Sequence, residues 1–456
     1  MANGGDVPGP PRAQASESRG GRLKHQTPWL PLDIVVEIAV RSDPATLLRC
    51  VATCTDVRRR LGVVVADGGG RAFLRLRHAD RFVPSLLRGH VEARNLGFYS
   101  NAAELYLVDT AAAETTAARL LTAADGFPTA AGTTMFRRHM PVASRDGLLL
   151  VHTTDGQPPK SELRVCDPAT GRSQILPPEP AFPGSEPAAS RGTARKRWEP
   201  YVLLVGDGDG AAGGIRPFQV LKANLVMSKH HRYLQTQTFS SETGAWGRYT
   251  EIRTPHLHGS SLLWGGKPLV AGGAAHWLCI TEIGSYVVKL SIRTALPQVT
   301  VTALPASFPR SDSIGLDYLL ATTAPAAGGG ELMVLVADSK KISAWVQTKP
   351  PPPPPATATK WMWKQRPQLV MGYEAMMRFA NMQWVGTFLV KLHWFAERSG
   401  LVLFSSAGYG QFWLDLRSME VIRCLPESGS PGTYRTECLP YEMDLSSWAP
   451  TFTSTF

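Results

Sequence analysis

Charge is scarce in this chain: 19% of its 456 residues are Asp, Glu, Lys or Arg, against 43% hydrophobic residues. That balance excludes a chain too polar to bury a core, and the length sets an expectation of two to three domains. Cysteine is sparse as well. The six, Cys50, Cys54, Cys166, Cys279, Cys424 and Cys438, are scattered, and no apolar leader stretch opens the chain, so the expected setting is reducing, in the cytoplasm and/or nucleus. Long hydrophobic runs are missing. Those over 201–205 and 332–337 fall far short of the ~20 residues that cross a bilayer, and no membrane partner is expected. The short motifs of hydrolysis are missing too: there is no G-x-S-x-G elbow, no H-E-x-x-H pair and no P-loop. Hydrolysis would have to rest on residues assembled only in three dimensions, and no catalytic residues are assigned.

Several segments imitate chemistry. Gly208-Asp209-Gly210-Ala211-Ala212-Gly213 matches G-x-G-x-x-G after the strand-like 201–205, but Pro217 interrupts the helix that a pyrophosphate site needs, so a hairpin loop is expected. Asp207 and Asp209 resemble the start of a calcium loop, yet Phe218 stands where its bidentate Glu belongs. His230-His231 and His256-x-His258 lack accompanying ligands, and Cys50 and Cys54 lack a second pair to complete four. No metal and no cofactor are expected.

Glycine (42) and proline (36) are plentiful, which favours many tight turns and a β-rich chain. The net charge of +11 brings RNA into consideration, but Arg58-Arg59-Arg60, Arg71, Arg75, Arg77 and Arg195-Lys196-Arg197 lack interleaved aromatics, so nucleic acid is not the favoured partner.

Along the chain, residues 1–27 are rich in Gly, Pro, Ser and Arg and read as a disordered tail. Residues 28–66 carry helical apolar spacing. Leu30 and Pro31 enter a first helix with Ile34, Val35 and Ile38 on one face; Ser42-Asp43-Pro44 ends it and starts a second with Leu47, Leu48 and Val51; a third follows from Asp56 with Val57, Leu61 and Val64. A unit of ~40 residues rarely makes a sufficient core, so a neighbouring surface is expected to complete it. Residues 67–94 read as a connecting helical segment, and 95–456 as a large all-β domain.

The run Leu30-Pro31-Leu32-Asp33-Ile34-Val35-Val36-Glu37-Ile38, with Asp43-Pro44-Ala45-Thr46-Leu47-Leu48-Arg49-Cys50, Thr53-Cys54 and Arg58-Arg59, resembles the F-box. The resemblance implies a three-helix module that binds a Skp-type adaptor, and through it a cullin scaffold, by Leu30, Pro31, Ile34, Val35, Ile38, Leu47, Leu48, Val51, Cys54 and Val57. Val57 stands where many F-boxes carry Trp.

In the β region, 388–424 reads as a four-stranded meander and 269–303 as another. Strand-turn-strand units recur around Asp167–Gly171, Ser241–Gly244 and Asp338–Lys340. Repeats of ~45 residues predict a kelch-like β-propeller of six to seven blades, with a β-sandwich or stacked sheets as the alternative. Trp246, Trp264, Trp277, Trp345, Trp394 and Trp413 are expected to pack between blades. Pro350–Pro355, in a loop over 349–359, predicts polyproline II as a stiff hairpin extension, and Pro177–Arg197 a mobile loop. The motifs Val165–Gly171, Phe239–Trp246, Gly272–Leu278 and Tyr441–Asp444 resemble the associated domain of plant F-box proteins, which implies a target-binding platform. The expected function is thus substrate recognition in an SCF-type ubiquitin ligase, with an unidentified target protein. The alternatives are a propeller enzyme or carbohydrate-binding protein using a central pocket, or a basic RNA-binding protein.

Overall fold

A computed structural model describes residues 30–42, 46, 50, 53–66, 82–95, 103–110, 116–121, 138–155, 160–183, 198, 200–206, 215–292, 297–310, 315–324, 330–348, 362–381, 389–406, 409–425 and 435–443. Expectations for 1–27, for 207–214 with its G-x-G-x-x-G run, and for the Pro350–Pro355 run lie outside these residues.

Helix α1 spans Leu32–Arg41. The carbonyl of Pro31 accepts the backbone N–H groups of Ile34 (2.9 Å) and Val35 (3.1 Å), and a ring without an N–H costs nothing at an entrance where donors are unpaired anyway. Ser42 closes the helix by returning its hydroxyl to the Ile38 carbonyl at 2.8 Å. Helix α2 spans Thr55–Ala66, with Asp56 in its first turn, where a negative charge complements the dipole. Between them Thr46, Cys50 and Thr53 have helical backbone, and the Cys54 N–H donates to the Cys50 carbonyl at 2.9 Å. Leu47, Leu48 and Val51 lie outside the described residues. The two helices pack together, and their buried side chains are Val36 and Ala39 of α1 and Val57 of α2.

The rest is almost all strand, in six consecutive meanders among the described residues. The first holds β1 (Leu87–Asn95), β2 (Ala103–Asp109) and β3 (Thr116–Leu121). The second holds β4 (Arg138–Arg145), β5 (Leu148–Asp155), β6 (Lys160–Asp167) and β7 (Arg172–Ile175). One parallel pairing, Ala103 with Arg138, joins these two into one sheet. The third is β8 (Tyr201–Val205), β9 (Phe218–Met227) and β10 (Arg232–Ser240), whose outer edge carries β11 (Ala245–Trp246) and β12 (Thr250–Arg253).

In the fourth, β13 (Leu262–Gly265) and β14 (Leu269–Ala271) both pair with β15 (Ala274–Thr281), followed by β16 (Ser285–Ser291) and β17 (Val299–Ala303). The fifth is β18 (Asp317–Thr322), β19 (Leu332–Ala337) and β20 (Lys341–Thr348), with β21 (Met362–Trp363) and β22 (Gln368–Gly372) along β20 and helix α3 (Tyr373–Ala380) after it. The sixth is β23 (Val390–Ala396), β24 (Leu401–Ser406), β25 (Gly410–Asp415) and β26 (Glu420–Leu425). The final strand, β27 (Arg435–Glu442), returns to pair antiparallel with β1.

Turn chemistry sets the hairpins. Asp167 accepts the backbone N–H of Ala169 at 3.1 Å, and Gly171 takes the left-handed conformation (φ 70°) that ends the β6–β7 turn. Apolar clusters straddle neighbouring meanders. Ala143, Leu150 and Val165 of the second meet Leu203, Phe218 and Phe239 of the third. Leu221 and Leu234 of the third meet Trp277 and Val288 of the fourth. The fourth, fifth and sixth share a cluster holding Leu278, Leu320, Val334, Phe404 and Phe412. Val91 and Leu105 of the first meet Leu149 of the second, Trp394 of the sixth and Leu439 of β27. Trp277, Trp413, Trp345 and Trp394 are buried between meanders, and Trp246 and Trp264 are partly buried.

Two expectations are corrected. Where 67–94 is described, its helical part is a single 3-10 turn, Pro84–Leu86, and Leu87–Asn95 is β1, with the β region packed from Phe82 onward. His90, Val91, Glu92 and Ala93 are all buried, so both faces of this strand are covered although its residues alternate between polar and apolar. The Pro177–Arg197 loop is anchored over 177–183. Phe182 is buried against Tyr249 (ring centroids 5.7 Å), and the carbonyls of Pro177, Pro180 and Pro183 accept bonds from Trp246, Lys222 and Gln235.

Candidate functional site

The N-terminal helix and the residue pair before it expose large aliphatic side chains: Leu30 at 57% exposure, Leu32 at 39%, Ile34 at 48% and Ile38 at 52%. Ile34 and Ile38 stand one turn apart on one face of α1, and apolar side chains left in water there suit a partner's surface. Pro31 is exposed beside them, and Val35 and Cys54 are half-buried. Val57 differs from its expected role, because its side chain is fully buried and serves the contact between α1 and α2 instead of an outer face. A guanidinium–carboxylate pair, Arg60 with Asp33 at 3.2 Å, crosses between the same helices in solvent.

A second concentration of polar groups lies where β23, β27, β4 and β14 approach. The carboxylate of Glu442 accepts the backbone N–H groups of Arg398 (3.1 Å) and Ser399 (2.6 Å) and the Ser399 hydroxyl (2.6 Å). The Arg398 guanidinium donates to Asp146 at 2.9 Å, Arg145 pairs with Glu397, and Glu397 accepts the Val270 N–H at 3.1 Å. Lys267 donates to the His393 carbonyl at 3.0 Å and lies 4.8 Å from the centre of the Trp394 ring. With Leu269, Leu319, Phe395 and Glu397, Lys267 and Trp394 line a small cleft.

Burial pushes Glu442 up to about 7, opposed by the donors at Ser399 and Arg398 and reinforced by the charge of Glu397. Burial also raises Glu397, against the attraction of Arg145. Shifted carboxylates in a cleft accompany functional sites and structural ion networks alike. Here each carboxylate is held by backbone donors or guanidinium groups, which ties the sixth meander to the second and fourth.

In the sequence Tyr441–Asp444 stands out as a motif, whereas 396–400 lies inside the meander over 388–424. The paired-charge turns Arg145-Asp146 and Glu397-Arg398-Ser399 were the signal available for this network. His230, His231, His256 and His258 are exposed. His276 is buried, and burial lowers it to about 4, which keeps it neutral in the core. Cys50 and Cys54 are free and half-buried. Among the described residues, the donor atoms gathered closely enough for a metal are those of His90, Glu92 and Cys438.

The solved structures that this chain is similar to are β-rich. TolB from Acinetobacter baumannii is matched at 9% identity and a TM-score of 0.40, over 77% of this chain and 66% of that one. Acylaminoacyl peptidase from Pyrococcus horikoshii is matched at 9% identity and 0.31, over 74% and 44%. A prolyl endopeptidase is matched at 11% identity and 0.32, over 89% and 57%. The chain spans less than two thirds of the length of each of these proteins. Peptidases stand among these matches, against the expectation of a chain without catalytic activity, and likenesses this distant assign no activity to the present chain. No curated protein sequence matches it. Residues 108–454 match the family profile described as a domain of unknown function, DUF7595, and the chain belongs to that family.

Proposed function

We propose that this protein is the substrate-recognition subunit of an SCF-type ubiquitin ligase, docking to a Skp-type adaptor through its N-terminal helices and holding a target protein on its β region. The observation that carries the reading is the exposure of Leu30, Leu32, Ile34 and Ile38, with Ile34 and Ile38 on one face of α1, within the run that carries the F-box resemblance. Ubiquitin reaches the target because both are held on one scaffold, which replaces a bimolecular encounter by proximity.

The β region is taken as a six-bladed propeller. In support, six meanders follow one another, β4 lies beside β8, β15 beside β18, β18 beside β23 and β23 beside β27, and the last strand pairs with the first. Propellers of this kind present loops at one end as a platform, and the loops there supply target specificity.

The test is co-purification of the full chain with a recombinant Skp-type adaptor, beside the variant Leu30→Ala, Pro31→Ala, Ile38→Ala. The wild type is expected to elute with the adaptor and the variant alone. Retention of the complex by the variant, or a folded wild type that never binds, overturns the reading.

A further inference from the structure

Between the first and sixth meanders, polar side chains stand in an apolar wall. His90 and Glu92 are two apart on β1 and so share a face, and Cys438 on β27 stands across the ladder from Glu92. His90 and Glu92 are fully buried and Cys438 is 1% exposed. One donor atom from each, an imidazole nitrogen, a carboxylate oxygen and the thiol sulfur, lie within 4.8 Å of one another. His90 Nε2 is 3.4 Å from Glu92 Oε2.

The wall around them is Ala396, Leu401, Leu403 and Trp413, with the Trp413 ring 6.4 Å from that of His90. Neither ring nitrogen of His90 makes a hydrogen bond, whereas buried polar atoms are ordinarily satisfied. Outer contacts of the kind that orient metal ligands are present. Gln411 on β25 donates Nε2–H to Cys438 Sγ at 3.1 Å, and Arg94 Nε holds the other oxygen of Glu92 at 2.5 Å.

We propose that His90, Glu92 and Cys438 form a zinc site that clasps the last strand to the first. A mixed nitrogen, oxygen and sulfur set suits Zn²⁺, while Ca²⁺ and Mg²⁺ take oxygen ligands and do not choose a thiolate. Bond lengths of roughly 2.0–2.3 Å to such ligands allow tetrahedral neighbours a little under 4 Å apart, so small side-chain shifts close the observed spacing. The Cys438 thiol gives up its proton to water as the metal binds, and the fourth position is left to a water molecule. Since the ligands come from both ends of the β region, the metal adds a cross-link to the ladder that pairs β27 with β1.

The full chain, expressed with zinc in the medium and freed of loose metal by gel filtration, is expected to carry about one zinc per molecule. That content is expected to fall by roughly tenfold or more in Cys438→Ser and in His90→Gln, and to persist in Cys50→Ser, Cys54→Ser. Cobalt in place of zinc is expected to give a near-ultraviolet thiolate-to-metal band that Cys438→Ser lacks, and a chelator is expected to lower the melting temperature of the wild type by several degrees. A folded wild type without bound zinc, whose melting temperature added zinc does not move, overturns the proposal. So does full zinc retention by Cys438→Ser. The wild-type metal content and cobalt spectrum decide the matter even where a variant misfolds.

Discussion

Glu442 shows how a single side chain can couple folding to pH. Its carboxyl titrates near 4.5 when unfolded and at about 7 when buried beneath Ser399, so between those values the folded chain keeps a proton that the unfolded chain has released. Stability from this group is therefore fully present below pH ~4.5 and lost as pH rises through ~7. The difference is on the order of 3 kcal/mol, at 1.36 kcal/mol per pKa unit. Glu442→Gln is neutral at every pH. The melting temperature of the wild type is expected to fall more steeply than that of the variant between about pH 5 and pH 8, and parallel curves refute the assignment.

Gly400 is constrained twice. Its φ is 73°, and a Cβ there would sit 2.5 Å from the Phe82 ring, which packs edge-on against Phe395. Gly400→Ala is expected to lower the urea-unfolding free energy by about 2 kcal/mol without a change of slope. A loss within a few tenths means that the turn relaxes freely.

At the scale of elements, α1 offers one side to α2 and leaves the other in water. Val57→Ala removes buried methyl groups and is expected to cost about 2 kcal/mol, read as faster hydrogen exchange of α2 amides with adaptor binding weakened only in proportion. Ile34→Asp adds a charge to an exposed position and is expected to leave exchange unchanged while abolishing adaptor capture. Equal exchange effects would remove the distinction between a packing face and a docking face.

The sixth meander was legible at this scale. Leu401–Ser405 and Phe412–Asp415 are short apolar runs bounded by Ser399-Gly400 and Leu416–Met419, and β24 and β25 fall there. The second helix was written as clearly, yet Leu47, Leu48 and Val51 lie outside the described residues. The anchoring of 177–183 was not legible, because Phe182 packs against Lys222 and Tyr249, distant in the chain.

At the scale of the whole molecule, the return of β27 to β1 decides whether the β region holds. Leu439 and Tyr441 share a cluster with Val91, Leu149 and Trp394, and Met443 N–H reaches the Leu86 carbonyl at 2.8 Å. A chain that stops at residue 434 exposes the edge of β1 and this cluster together. It is expected to be recovered insoluble or without a cooperative melting transition; a soluble product with a sharp transition shows the pairing to be dispensable.

The sequence by itself determined the β-rich character, the hairpins around Asp167–Gly171, Ser241–Gly244 and Asp338–Lys340 and those of the fourth and sixth meanders, and the apolar first helix, because alternation, turn residues and helical spacing are local properties carried by neighbouring residues. Only the tertiary structure decided that Val57 faces inward while Ile34 and Ile38 face out, that Leu87–Asn95 is a strand, and that Glu442 and the group His90, Glu92 and Cys438 are buried where the two ends of the β region meet. Each of those outcomes depends on a partner distant in the chain, and one strand's own residues carry no record of which surface will cover it.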